Sequence, residues 1–187
     1  MREKIYLVIA QEGFRDEELL EPLDVFKPTP YEPVILSPKQ GTCKGMFGAE
    51  VESDKAIKDA VIDDDTRAII IIGGKNSPNL IEHKELGTLL YEAKENKLII
   101  GAICLGPMVL ASFNMLDGRH ATVYETEESK AMFNEHNVTY IKEDVIVDNN
   151  IVTANGPHAA TAFAENIVDI LGEQNDLATN DDNGEEE

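Results

Sequence analysis

Three unbroken apolar runs punctuate an otherwise polar chain: KIYLVIA (Lys4 to Ala10), AIIIIGG (Ala68 to Gly74) and KLIIGAI (Lys97 to Ile103). Apolarity without alternation predicts strands buried on both faces, as in a parallel sheet covered by helices. Helical spacing follows each run: Leu19, Leu23 and Phe26 at i, i+4 and i+7 after the first, ELGTLLYEAKEN after the second, MVLASFNML after the third. PVILS, between the first two runs, reads as another short strand. This alternation predicts an α/β fold, a flavodoxin-like doubly wound sandwich with a mostly parallel sheet. Toward the C-terminus, DVIVDNNIVTANG holds two β-rich runs joined by Asn149-Asn150 and predicts a small hairpin, because Asn tolerates positive φ. The last helix is expected in PHAATAFAENIVDILG, with Pro157 near its start, Phe163, Ile167, Ile170 and Leu171 on one stripe, and Gly172 as its stop.

At 187 residues and 42% apolar content the chain suits one domain with a real core, expected over residues 1–172. The remainder, EQNDLATNDDNGEEE (residues 173–187), is too polar to offset chain entropy and is expected to be a disordered acidic tail. With 16 Lys+Arg against 36 Asp+Glu the formal net charge is -20, and no basic block is present. Phosphate backbones and anionic membrane surfaces are therefore disfavoured partners. The N-terminal MREKIYLVIAQEGF has too short an apolar run for a signal peptide and ends in Gln-Glu. Cys43 and Cys104 form no CxxC pair, so a reducing cytoplasm is the expected compartment, and no cofactor or metal is expected.

The functional crevice of an open parallel sheet lies outside the carboxyl ends of its strands. Three segments fall there: QEGFRDEE, GGKNSPN and Cys104 itself. In GAICLGPMVLA, Cys104 stands between strand and helix, where N–H groups and the helix dipole are expected to lower its thiol pKa. Gly106 suits a turn too tight for a side chain, and Pro107 suits a first helical turn. The pattern is that of a nucleophile elbow carrying sulfur. The bland alternative is inert packing, which is usual for free Cys and is the reading kept for Cys43 in GTCKG. Gly74 and the N–H of Leu105 are candidate oxyanion donors, although Gly-Gly also suits a plain turn. Glu18 is the candidate acid beside Cys104; Asp16, Glu17, Glu18 and Glu21 together also read as a solvated helix start, and spacing does not choose among them.

Together these residues resemble the ThiJ/PfpI superfamily, which includes PfpI-type intracellular proteases and the Parkinson-associated protein deglycase, from Lys4 to about Gly172. AICLGP is similar to the family's Ala-Ile-Cys-x-Gly-Pro elbow, and GFRDEELLEPLDVF and the Gly-Gly after a buried strand also agree. The resemblance implies that Cys104 is the reactive cysteine and that Glu18 hydrogen-bonds its sulfur, with Pro22 in agreement. It places Tyr124 where relatives carry Tyr or His beside the cysteine. Four departures stand out: Leu105 where the proteases have His, Asn79 near their cross-interface glutamate, Arg15 in place of a second acid, and Asn155 where an arginine is common. Leucine moves no protons, so peptidase activity is not expected. His158, in NGPH, opens the last helix where the matching turn of relatives approaches the cysteine; a polar residue in the first helical turn is the preferred reading. The resemblance implies a stress-related protein acting on small carbonyl electrophiles or glycated adducts by hydrolase, deglycase or glyoxalase-like chemistry. The alternative is a redox sensor whose Cys104 is oxidised to sulfenate or sulfinate. A homodimer or larger homo-oligomer is also implied.

Overall fold

The computed structural model describes residues 2–182, with side chains through residue 174. Strand β1 (Glu3–Val8) leads through β2 (Glu12–Phe14) into helix α1 (Asp16–Phe26), then β3 (Tyr31–Ser37), β4 (Gly41–Gly45), β5 (Glu50–Ser53) and β6 (Lys55–Ala56). The second stretch runs β7 (Thr66–Ile71), α2 (Lys84–Glu95), β8 (Ile99–Ile103), α3 (Gly106–Ser112), β9 (His120–Ala121) and α4 (Glu127–Glu135). The third holds β10 (Thr139–Tyr140), β11 (Val145–Asp148), β12 (Ile151–Ala154) and α5 (Ala160–Asp182).

One seven-stranded sheet carries the fold, in the order β11-β12-β8-β7-β1-β3-β6. Its strands are parallel except β11, which pairs antiparallel with β12. The inner order β3-β1-β7-β8-β12 is the 2-1-3-4-5 winding of a flavodoxin-like sandwich, as the apolar runs predict. The chain reverses its winding direction between β1 and β7. Crevices in such sheets form there, beyond the carboxyl ends of the strands.

Each central strand supplies both layers, because successive side chains point to opposite faces. Tyr6, Val8, Ile69, Ile71, Ile100 and Ala102 pack with Leu86 and Leu90 of α2 and with Val109 and Leu110 of α3. Ile5, Leu7, Ile70 and Ile103 pack on the other face with Leu19 and Phe26 of α1 and with Phe163, Ile167 and Leu171 of α5. Gly101 lets α5 lie close: a Cβ there would come 3.1 Å from Phe163 and 3.3 Å from Ile167.

Several features depart from the sequence expectation. The Asn149-Asn150 hairpin is not among them: its turn forms as expected, with Asn149 at φ 56°, and β12 joins β8, which makes the hairpin the edge of the main sheet. Gly172 does not stop the last helix: α5 continues through it to Asp182. An interior Gly costs about 1 kcal/mol relative to Ala, which weakens a helix without ending it. The segment expected to be disordered is therefore helical as far as Asp182, and residues 183–187 lie outside the described residues. The sequence reading also missed the small β2-β4-β5 and β9-β10 sheets, whose short polar strands carry no apolar run. No helix among the described residues is long and apolar enough to cross a membrane.

Phe163 fills the space over Gly101 and is completely buried. Phe163→Ala should lower the unfolding free energy by about 3–5 kcal/mol, whereas Tyr91→Ala at the exposed surface should change it by less than about 0.5 kcal/mol. Urea denaturation monitored by circular dichroism checks both.

Candidate functional site

Cys104 follows the last residue of β8 and precedes α3 by one residue, on the elbow that its neighbours predict. Its backbone is left-handed, at φ 62°. For a non-glycine residue that conformation costs on the order of 1–2 kcal/mol and must be held by its surroundings. Two hydrogen bonds hold it: Cys104 N–H donates to the Ala154 carbonyl at 2.9 Å, and Tyr124 N–H donates to the Cys104 carbonyl at 2.8 Å. Gly106 brings α3 against the sheet, since a Cβ there would lie 2.7 Å from the Ile71 carbonyl oxygen.

Glu18 arrives from the opposite layer. It sits in the first turn of α1 with 0% exposure, behind the Gly73-Gly74 turn that follows β7. A Cβ on Gly73 would overlap both Glu18 Oε2 and Cys104 Cβ, so the missing side chain is what allows carboxyl and thiol to meet. Neither Glu18 oxygen completes a well-aligned hydrogen bond. The Cys104 thiol and the Gly73 N–H nevertheless sit close enough to act on its titration. The other acids of the cluster have structural partners. Asp16 accepts from the N–H groups of Phe47 and Ala49 at 3.1 and 2.8 Å, fixing the β4–β5 turn, and Glu17 chelates Arg15. Glu21 accepts from the Thr161 hydroxyl of α5 at 2.8 Å.

Burial raises Glu18 to about 7, against the thiol, the Arg15 charge and the Gly73 N–H, which all favour its ionised form. Cys104 is 9% exposed. Burial, then the charge and contact of Glu18, push its thiol up to about 12, while the N–H groups of Gly74 and Leu105 pull it down. The lowered thiol pKa expected from a helix start is thus reversed, because desolvation and a neighbouring carboxylate outweigh two backbone donors. The two donors do face this site as the sequence suggests, although at rest they point to sulfur. The pair titrates as one unit.

The sulfur opens into a cavity of about 430 Å³ walled by Gly74, Leu105, Tyr124, Pro157 and His158, together with Arg15, Met46 and Lys75. Leu105 offers an apolar wall. Tyr124 is exposed, and its ring stands near Gly156. His158 therefore lines the cysteine cavity, and its Nε2 lies 3.1 Å from Asp144 Oδ1. All six candidates of the sequence reading, Cys104, Glu18, Gly74, Leu105, Tyr124 and His158, gather at one place. Asn79 lies elsewhere, in a separate cleft with Gln11 and His83. Met46, Lys75 and Asp144 were not foreseen: Met46 is delivered by the unforeseen small sheet, Lys75 merely follows Gly-Gly, and Asp144 meets His158 across 14 positions of sequence. Among the described residues no group of three His, Cys, Asp or Glu side chains is arranged to hold a metal ion.

A flavodoxin-like sandwich with cysteine on a strained strand-to-helix elbow and a buried glutamate behind it defines a narrow class of α/β proteins. The chain belongs to the DJ-1/PfpI family, which it matches over residues 3–170. It is 35% identical to the Methanocaldococcus jannaschii protein MJ0967, over 92% of this chain and 84% of that one. It is 28% identical to Deglycase TK1284 of Thermococcus kodakarensis, over 88% of this chain and 98% of the relative. The crystal structure of a ThiJ/PfpI domain protein from Brachyspira murdochii superposes with a TM-score of 0.85 at 26% identity, covering 91% and 96% of the two chains.

Glu18 predicts a pH signature in stability. With its pKa raised from 4.5 to about 7 on folding, the native state binds more protons than the unfolded chain between those values. The stability that protonation of Glu18 adds relative to its ionised form is complete below about 4.5 and is lost as pH rises through about 7. Its full size is on the order of 3 kcal/mol. Glu18→Gln removes the titration, so its stability relative to wild type should increase between those pH values and then level off. Urea midpoints across that range test it; a constant difference would contradict the raised pKa.

Proposed function

We propose that the protein is a cysteine-dependent enzyme acting on small carbonyl electrophiles or glycated adducts. The observation that carries this reading is the meeting of Cys104 and buried Glu18 at the floor of an open cavity, with the N–H groups of Gly74 and Leu105 beside the sulfur. A relative named a deglycase along nearly its whole length supports the same chemistry.

Between the two titrations the Glu18–Cys104 pair holds a single proton. In attack on an aldehyde the sulfur–carbon bond forms and the carbonyl π pair moves onto oxygen. The pair's proton passes to that oxygen through Glu18, which leaves a neutral hemithioacetal and an ionised carboxylate. The Gly74 and Leu105 donors, which face the sulfur at rest, stabilise the oxygen while charge develops on it during attack. In a 1,2-dicarbonyl adduct the Glu18 carboxylate can take the proton from the former aldehyde carbon and return it to the adjacent one, while the hydroxyl proton of the hemithioacetal passes to the oxygen of the former ketone. That converts the hemithioacetal to a thioester with no external oxidant, and water then releases a 2-hydroxy acid and the free thiol. Tyr124 and Leu105 wall the cavity above the sulfur. An amide is a harder substrate, because its amine leaving group must be protonated and Leu105 supplies no imidazole.

Methylglyoxal consumption should fall at least about 100-fold in Cys104→Ser, since nucleophile loss removes the covalent route. Unactivated peptides should be cleaved at background. The wild-type rate should rise with pH through an inflection near 7, as the pair loses its first proton. Glu18→Gln should move that inflection by more than about one unit. Steady-state turnover of methylglyoxal across pH, with peptide hydrolysis measured alongside, tests all four, and a Cys104→Ser enzyme as active as wild type would overturn the assignment.

A further inference from the structure

We propose that the Cys104 cavity selects anionic carbonyl compounds, those bearing a carboxylate or phosphate close to the reacting carbonyl, through Arg15 and Lys75 on its wall. The inference rests on Cys104 being the reactive group and names the substrate class for it.

The chain carries a formal net charge of -20, so its mean field repels anions. The cavity wall is the opposite. Its residues include Arg15 and Lys75 and, among the described residues, no carboxylate; His158, also on the wall, is paired with Asp144 and adds no surplus charge. Glu18 lies behind the wall, completely buried. Arg15 is presented by two fixed contacts: Nε and Nη2 chelate the Glu17 carboxylate at 2.8 and 3.1 Å, and the guanidinium stacks 4.5 Å over the Phe47 ring. That side-on pairing leaves Nη1 uncommitted. Planar, pre-oriented guanidinium is the side chain best suited to carboxylate or phosphate. Its partner Glu17 neutralises part of the charge; Lys75, whose stem runs over Gly13 between this cavity and a neighbouring cleft lined by Glu12 and Lys44, forms no salt bridge among the described residues and adds a second cation at the rim.

Both cations are tied to the loops that serve the sulfur. Arg15 N–H donates to the Gly73 carbonyl at 3.0 Å, and Lys75 directly follows Gly74, whose N–H faces Cys104. Lys75 N–H also contacts Met46 Sδ at 3.4 Å, joining it to the far wall. A small 2-oxo acid, or an aldehyde adduct of an amino acid, can place its anionic end on this rim and its carbonyl carbon at sulfur. A neutral dicarbonyl uses only the second half of the site.

Iodoacetate and iodoacetamide test this directly, since they are alike in size and in the carbon that sulfur attacks but differ in charge. At low salt the ratio of their Cys104 alkylation rates, iodoacetate over iodoacetamide, should be at least about 5-fold higher in wild type than in Arg15→Gln/Lys75→Gln. Arg15→Lys, which keeps the charge, should retain most of the excess. In about 1 M NaCl, where the screening length is about 3 Å, the wild-type ratio should approach that of the double variant. A ratio equal to or below that of the double variant overturns the proposal. Glyoxylate titrated into Cys104→Ala, followed by the Met46 methyl signal in NMR spectra, reads the anion site without chemistry at sulfur. Binding should weaken at least about 5-fold when Arg15→Gln/Lys75→Gln is added, and equal binding would also overturn the proposal. Failure of both reagents to label Cys104 would instead sink the enzymatic reading, while the glyoxylate titration still decides the anion preference.

Discussion

Everything at this site depends on an absent side chain. Gly73 ends the chain's passage out of β7 at the point where α1 comes over one layer and the β8–α3 elbow rises from the other. Any Cβ there would occupy the positions of the Glu18 carboxyl and Cys104 Cβ. The contact between acid and thiol is therefore a property of backbone spacing in the sheet. Neighbouring constraints have the same character: Gly106 lets α3 approach the Ile71 carbonyl, and Gly74 adopts φ 120°, which side-chain-bearing residues rarely reach. Three strand ends must converge before chemistry is possible, and the parallel winding guarantees that they do.

That convergence has a thermodynamic cost that the rest of the fold must absorb. Cys104 is held left-handed, and Glu18 is buried without a well-aligned partner for either oxygen. Each disfavours folding by a kcal/mol or more in its neutral form and by more if charged. Two apolar layers on a seven-stranded sheet provide the offset, from Ile5 and Phe163 on one face to Val8 and Leu110 on the other. Strain and a buried acid at a strand-end cavity, beside a core whose sheet faces are mostly apolar, is the distribution expected of a site kept for function.

The parts of this arrangement that are legible in sequence are those written locally. Continuous apolar runs mark the buried strands, Asn149 marks its turn, and AICLGP marks the elbow, because each is dictated by residues adjacent in the chain. Glu18 is different. Spacing offers four acids on one helix start, and only the packing of α1 against Gly73 separates Glu18 from Asp16, whose carboxylate is spent on the N–H groups of Phe47 and Ala49. The sign of the thiol shift was misread for a related reason. A helix start is visible in sequence, but burial and the distance to a carboxyl from another layer are not, and those terms are larger. Gly172 shows the converse error, in which a local stop signal yields to the helix around it.

The two cysteines differ in their surroundings rather than in burial. Both are free and both are buried. Cys43 sits on β4 with its sulfur 3.4 Å from the Gln11 amide nitrogen and 3.6 Å from the Gly41 carbonyl oxygen, in the core layer beneath α1. Neither neighbour can take its proton. Cys104 has a carboxyl that can, two N–H groups to receive the charge, and a cavity through which a carbonyl can enter. A thiol whose pKa is held high by burial is a poor target for indiscriminate electrophiles, since little of it is thiolate in the resting state. On the proposed mechanism a substrate that fills the cavity couples bond formation at sulfur to proton movement through Glu18, so it avoids forming a free thiolate. Reactivity is then conferred by the ligand that fits, and the composition of the cavity wall decides which ligand that is.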